Sequence, residues 1–273
     1  MKKGRSGRNH AAQSGDSGRS AAEANRQTSV VYGILPVLEL LRSGSRRIEK
    51  VLIAEGRRVN HFDEIVDLAR GRNVRVDISP MRTFSKYFTG RENHQGVAAF
   101  TAAAGYYDAE KLVAEITEKE NSFCLILDGI EDPGNLGAIL RTAEGAGIDG
   151  VFIPDRRAVG LTETVAKTSA GATEYVKVAK VTNINRLIDD LKDKNVWVVG
   201  ASGDSETGHS RWDWNRSSAL VLGSEGKGLH RLTAEKCDVL VKIPMYGKIE
   251  SLNVSVAAGV ILFEALRQRE RKE

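Results

Sequence analysis

The amino-acid sequence predicts an α/β protein with two folded parts, and two observations lead to this prediction. From residue 122 onward, short apolar strands alternate with helix patterns, beginning with the run Phe123-Cys-Leu-Ile-Leu127. Continuous apolar strands separated by helices are typical of a parallel sheet that is covered on both faces. Before this part, residues 29–101 alternate shorter strand and helix patterns, which suffice for one small α/β domain.

The first predicted element of the small domain is a helix over residues 31–44. Leu35, Leu38 and Leu41 recur there at helical spacing, and Gly44 ends the run. The sequence then predicts a strand over residues 48–56, a helix over 61–72, a strand over 74–78, a short helix over 81–90 and a strand over 96–102.

Residues 102–121 predict a linker that merges into a charged helix, and residues 122–273 predict the larger domain. After the first strand, further strands are predicted over residues 150–154, 175–181, 196–202, 219–223 and 239–245. The helices between and after them are predicted over residues 135–147, 161–171, 184–194, 226–236 and 255–272.

Residues 1–28 carry the whole formal charge of +4, because six basic and two acidic residues lie there and the remaining basic and acidic residues balance. This Gly-, Ser- and Arg-rich segment has no apolar periodicity, so it is predicted to be a disordered basic tail. Two interpretations stay open: an arm that contacts RNA phosphates, or a solvated tail without a role.

The sequence predicts a cytoplasmic protein with no membrane partner and no metal site. No apolar run approaches the roughly 20 residues of a membrane span, and no apolar stretch follows the basic N-terminus as a secretory signal requires. Cys124 and Cys237 lie in apolar runs without metal-ligand spacing, which favours buried thiols in a reducing compartment.

Three polar segments, residues 132–143, 223–228 and 251–255, follow apolar strands in the larger domain. A protein core does not need Asn, Arg, Glu and Ser at these junctions. Ligands of α/β sheets bind beyond the carboxyl ends of the strands. The three segments therefore predict the functional site, with a loop over residues 243–252 that can enclose a planar group such as adenine.

Each polar residue has a local interpretation as well. Asn135 can cap the helix that follows Pro133-Gly134, and Arg141 faces a site, a partner subunit or solvent. Glu225 lies among three glycines, where it either binds at the site or caps a helix. Ser251 can cap the last helix, and Asn253 offers donors and acceptors near its first turn.

Two nucleotide-binding motifs are excluded by their context. Residues 145–150 spell G-x-G-x-x-G, but they close a predicted helix and lead into a strand, whereas the dinucleotide motif follows a strand and opens a helix. They are predicted to be a helix end and a turn. Residues 223–229 lack the Ser or Thr and the spacing of a P-loop, which argues against a kinase or GTPase.

The strings NLGAILRTAEGAG, LVLGSEGKGL and IPMYGKIESLNVSVAAGVILFEALRQR closely resemble the three ordered motifs of the SpoU-type, TrmH-like RNA 2′-O-ribose methyltransferases of the SPOUT superfamily. The resemblance covers the chain from residue 29 onward. It implies that residues 29–101 form an L30e-like RNA substrate-binding domain and that residues 122–273 form a SPOUT methyltransferase domain. It also implies a deep C-terminal trefoil knot, which is very rare in proteins.

The same resemblance implies S-adenosyl-L-methionine as the cofactor, a homodimer, and RNA as the substrate. By motif matching, the cofactor contacts fall on Gly223, Ile243 and Leu252. The functional polar positions match Asn135, Arg141, Glu225, Ser251 and Asn253. Within the family, the layout looks most like the enzymes that methylate a guanosine in the peptidyl-transferase region of bacterial 23S rRNA.

The implied reaction is attack of a ribose 2′-oxygen on the methyl group of the cofactor. Arg141 stays protonated near neutral pH, so we expect it to bind phosphate or stabilise the developing oxyanion, with Glu225 or a substrate phosphate accepting the proton. Two alternatives remain: methylation of a tRNA guanosine, and a non-catalytic RNA-binding factor in ribosome assembly.

Overall fold

The computed structural model describes residues 28–56, 59–90 and 92–270. The predicted tail lies outside the described residues except for Thr28, with which the first strand begins. No described helix has the length and apolar character needed to cross a membrane.

The N-terminal domain is built on a four-stranded mixed sheet. In chain order its elements are β1 Thr28–Tyr32, α1 Ile34–Ser43, β2 Ile48–Ala54, α2 Phe62–Gly71, β3 Arg75–Ser79, a 3₁₀ helix Met81–Lys86, and β4 Val97–Ala102. The strand order is β1-β4-β2-β3, in which β4 runs antiparallel to both of its neighbours and β2 runs parallel to β3.

The start of the first helix was predicted wrongly. Residues 31 and 32 belong to β1, where Val31 pairs with Ala99 of β4, and the helix begins at Ile34. Gly33 separates the two elements with φ of +97°, a conformation that side chains with a Cβ rarely adopt. The predicted helix end is confirmed, because Gly44 has a left-handed conformation and donates its N–H to the Leu40 carbonyl.

The C-terminal domain contains a six-stranded sheet. Its elements are α3 Ala109–Glu118, β5 Phe123–Asp128, α4 Pro133–Gly145, β6 Gly150–Pro154, α5 Glu163–Thr168, β7 Val178–Val181, α6 Ile184–Lys192, β8 Trp197–Ala201, β9 Ser218–Gly223, α7 Arg231–Lys236, β10 Val239–Val241 and α8 Val254–Glu270. The strand order is β10-β8-β9-β5-β6-β7, and every pairing in it is parallel.

Two apolar cores cover this sheet, one on each face. The first contains buried side chains of α4, α5 and α8, and the second contains those of α3 and α6. All residues of the central strands β5 and β9 are buried, so the prediction of a parallel sheet covered on both faces is confirmed. The passage of the C-terminal segment through a knot stays a prediction.

Two smaller sequence predictions can be compared with the structure. The G-x-G-x-x-G sequence is a helix end and turn, as predicted: α4 ends at Gly145 and β6 begins at Gly150. Cys124 is fully buried, whereas Cys237 is partly buried. Burial raises the pKa of both thiols, that of Cys237 to about 12.

Polar contacts join the two domains. The side chains of Arg46 and Glu174 form an ion pair in which both are nearly buried, at 9% and 2% exposure. The Tyr175 hydroxyl donates to Glu39 Oε2 at 2.7 Å. The N-terminal domain therefore rests on the segment that follows α5, and α5 itself packs against α4.

Candidate functional site

A cavity of about 440 Å³ lies at the carboxyl ends of β8, β9 and β10, where these strands meet the start of α8. Six residues that the sequence analysis singled out line it, although up to 30 positions separate them in the chain: Gly223, Glu225, Ile243, Ser251, Leu252 and Asn253. Its apolar wall is extended by Leu222, Val241, Val254, Ala257 and Ile261. The cavity therefore combines apolar walls with a polar rim, as small-molecule sites do.

The loop after β9 folds tightly against the end of that strand. Ser224 and Gly228 exchange two backbone hydrogen bonds, of 3.0 and 2.9 Å. A Cβ atom at Gly223 would lie only 2.1 Å from the carbonyl carbon and oxygen of Gly228. The absence of a side chain at Gly223 therefore allows the loop that carries Glu225 to close over the cavity.

Asn253 connects all three polar segments. Its Nδ2 donates a 3.0 Å hydrogen bond to Asn135 Oδ1 and a second hydrogen bond to Glu225 Oε1. Its Oδ1 accepts from the backbone N–H of Ser255 at 2.9 Å. Asn135, Glu225 and Asn253 thus form one hydrogen-bonded cluster, which we call the polar cluster.

Both helix caps at the site differ from the predictions. Asp132, not Asn135, caps α4, since Asp132 Oδ1 accepts from the Asn135 backbone N–H at 2.7 Å. Asn253, not Ser251, caps α8, because its side-chain oxygen reaches the first N–H groups of that helix. Capping by Asp132 leaves the Asn135 side chain available for the polar cluster.

Arg141 lies apart from the other site residues that the sequence predicted. It is exposed on α4, lines neither of the two cavities described here, and has no hydrogen-bond or ion-pair partner among the described residues. Gly145 follows four residues later and so lies on the same face of α4. A Cβ at Gly145 would meet the Phe263 ring of α8 at 4.0 Å. Arg141 therefore borders the surface formed by α4 and α8.

A second cavity, of about 390 Å³, adjoins the first and shares Ser224, Glu225 and Val254 with it. Asn135 lines it as well. Three basic side chains to which the sequence analysis gave no role also line it, Arg157, Lys227 and His230, next to the acidic Glu131 and Asp132. Arg157 follows β6, and Lys227 and His230 follow β9. This position after a strand is the feature of the sequence by which they could have been predicted. Within the described ranges, no group of three or more His, Cys, Asp or Glu side chains has the arrangement of a metal site.

Comparisons with known proteins agree with this architecture. The family model described as the SpoU rRNA Methylase family matches residues 122–263, and the model described as RNA 2′-O ribose methyltransferase substrate binding matches residues 30–107. The chain is 44% identical to YacO of Bacillus subtilis (strain 168), which is named as a TrmH family tRNA/rRNA methyltransferase. The match extends over 246 residues, which are 90% of this chain and 98% of YacO.

Solved structures have the same fold. A crystal structure of an RNA 2′-O ribose methyltransferase is 25% identical with a TM-score of 0.74, and the match covers 90% of each chain. The AdoMet-bound rRNA methyltransferase from Sinorhizobium meliloti is 24% identical with a TM-score of 0.72, over 88% of this chain and 87% of that one.

Proposed function

The chain belongs to the SpoU rRNA methylase family, and from this we propose that it transfers a methyl group from S-adenosylmethionine to a ribose 2′-oxygen of RNA. We infer that the substrate is a guanosine in the peptidyl-transferase region of 23S rRNA. The single observation that supports this proposal best is the polar cluster, because it places groups able to orient a nucleotide between two adjacent cavities.

The first cavity fits the cofactor. Its volume of about 440 Å³ is within the range of small-molecule sites, and its apolar walls suit an adenine ring. Gly223, Ile243 and Leu252 line this cavity and would hold the cofactor. When bound, S-adenosylmethionine supplies an electrophilic methyl group on a sulfonium. AdoMet is present in the S. meliloti rRNA methyltransferase of the same fold.

The polar cluster would position the ribose. Asn253 donates to both Asn135 and Glu225, so the Glu225 carboxylate is held in one orientation at the junction of the cavities. In that place Glu225 or a substrate phosphate would accept the proton of the 2′-hydroxyl. Ser251, on the rim of the first cavity, would contact the nucleotide or the cofactor loop.

A second copy of the chain would bring Arg141 to the site. The side chains of Val256, Val260 and Phe263, at helical spacing on α8, are 51%, 37% and 51% exposed and form an apolar stripe next to α4. Burial of this stripe in a homodimer would place Arg141 at the interface. There its guanidinium would bind phosphate and stabilise the developing oxyanion.

The choice of rRNA over tRNA rests on the N-terminal domain. Residues 30–107 match the substrate-binding model, and the resemblance associates that domain with rRNA enzymes. Methylation of a tRNA guanosine is the second candidate, because the name of YacO covers both substrates.

Transfer of labelled methyl from S-adenosylmethionine to unmodified 23S rRNA and, separately, to bulk tRNA tests the proposal. We expect label on a 23S guanosine, mapped as a nuclease-resistant 2′-O-methyl site, and its loss in Arg141→Ala. Arg186→Ala, which removes an exposed arginine from α6 on the other face of the sheet, is the matched control. Label on tRNA alone would overturn the substrate assignment, and failure to bind S-adenosylmethionine would overturn the enzyme proposal.

A further inference from the structure

Asp128 and His230 form a polar pair beside the second cavity that none of the three sequence motifs assigns to the site. Asp128 ends the central strand β5 and is only 6% exposed. Its Oδ2 accepts the backbone N–H of His230 at 3.1 Å and lies 3.0 Å from His230 Nδ1. A buried carboxylate is costly without such partners, so the pair holds the imidazole in place.

The pairing determines which ring nitrogen is available. A carboxylate can only accept hydrogen bonds, so Nδ1 carries the hydrogen that points to Asp128. The His230 side chain is 61% exposed and lines the second cavity, and Nε2 has no partner among the described residues. Gly129 leaves room for the ring, since a Cβ there would lie 3.4 Å from His230 Cε1. In the neutral imidazole, Nε2 is therefore the hydrogen-bond acceptor.

The surroundings of the ring suit a ligand that has both anionic groups and hydroxyl groups. Arg157 and Lys227 line the same cavity as cations, and the carboxylates of Glu131, Asp132 and Glu225 line it as acceptors. Asn135 and Glu225 form the side of the second cavity that borders the first cavity. A ribonucleotide combines a phosphate for the basic side chains with hydroxyl and N–H donors for a histidine acceptor.

We propose that the second cavity receives the nucleotide to be methylated, and that His230, oriented by Asp128, accepts a hydrogen bond from it through Nε2. The proposal rests on the proposed function and adds a substrate-positioning residue to it. His230 acts on the RNA side of the site, whereas Gly223, Ile243 and Leu252 line the cofactor side.

Steady-state methyl transfer with His230→Ala tests this role. We expect kcat/KM for the RNA to fall about tenfold, the value of one hydrogen bond, while the calorimetric Kd for S-adenosylmethionine stays unchanged. His230→Gln keeps an acceptor at similar reach and should recover most of the loss. Arg231→Ala is the matched control, because Arg231 is the next residue and pairs with Glu235 on the surface.

Each outcome bears on the proposal. A kcat/KM within twofold of wild type for His230→Ala would overturn it, as would an equal loss of cofactor affinity, which would indicate a structural role. If the wild type methylates no RNA, the proposed function fails. The His230 contact is then tested by the Kd for a 23S rRNA fragment, and a Kd unaffected by His230→Ala would overturn the inference independently.

Discussion

Substitution of Gly223 by alanine tests the geometry of the first cavity, the proposed cofactor site. The added Cβ would lie 2.1 Å from the backbone of Gly228, and real Cβ contacts essentially never fall below 3.0 Å, so the loop over residues 224–228 must move by about 1 Å. Glu225 lies on this loop and moves with it, away from Asn253. A displacement of about 1 Å at a catalytic site can reduce the rate about 100-fold, which is the loss of kcat/KM that we expect.

The assay is methyl transfer over a range of RNA concentrations, which gives kcat/KM, together with the calorimetric Kd for S-adenosylmethionine and the melting temperature. Gly208→Ala is the matched control, because a Cβ at Gly208 meets nothing within 4 Å and Gly208 lines neither cavity. A Gly223→Ala enzyme with kcat/KM within threefold of wild type and unchanged cofactor affinity would refute the argument. A loss that is accompanied by unfolding would instead assign Gly223 to stability.

Three further predictions concern stability and the polar cluster. Asn253→Asp keeps the oxygen that caps α8 but replaces the donor amide by a carboxylate, so methyl transfer should fall at least tenfold while the melting temperature is retained. Asn253→Ala removes the cap as well, and its free energy of unfolding by denaturant should fall by about 1 kcal/mol. Glu174→Ala leaves the Arg46 guanidinium buried without its carboxylate, so the free energy of unfolding should fall by about 3–5 kcal/mol, and a loss under 1 kcal/mol would contradict the burial of this pair. The hydrogen bond from Arg267 lowers the pKa of Glu264 from 4.5 to about 2. The stability that this pair contributes is complete above pH 4.5 and is lost as the pH falls towards 2. In Glu264→Gln the melting temperature should therefore fall less between pH 4.5 and pH 2 than it does in the wild type.

Local patterns predicted most helices and strands because period and composition act over a few residues. The two cap predictions failed because neighbouring residues could do the same task. Asp132 and Asn135 can each cap α4, and Ser251 and Asn253 can each cap α8. Which residue becomes the cap depends on where packing against the sheet makes the helix begin, and the sequence alone does not determine this.

The candidate site, too, was predicted only in part. The sequence placed three polar segments at the ends of strands, and parallel topology brings such ends to one edge of a sheet. It could not pair Asn135 with Asn253, which are 118 residues apart, or Asp128 with His230, which are 102 apart. Local sequence patterns carry no information about such distances.

The residues that could do chemistry were therefore predictable from the sequence, because a protein core does not need polar side chains at strand ends, where α/β sheets bind ligands. Which of them meet was a property of the folded molecule. Strand order β10-β8-β9-β5 places the ends of β9 and β5 side by side and so creates two cavities with one shared polar wall. Strand order arises from the long-range packing of the two cores, and local sequence patterns do not specify it.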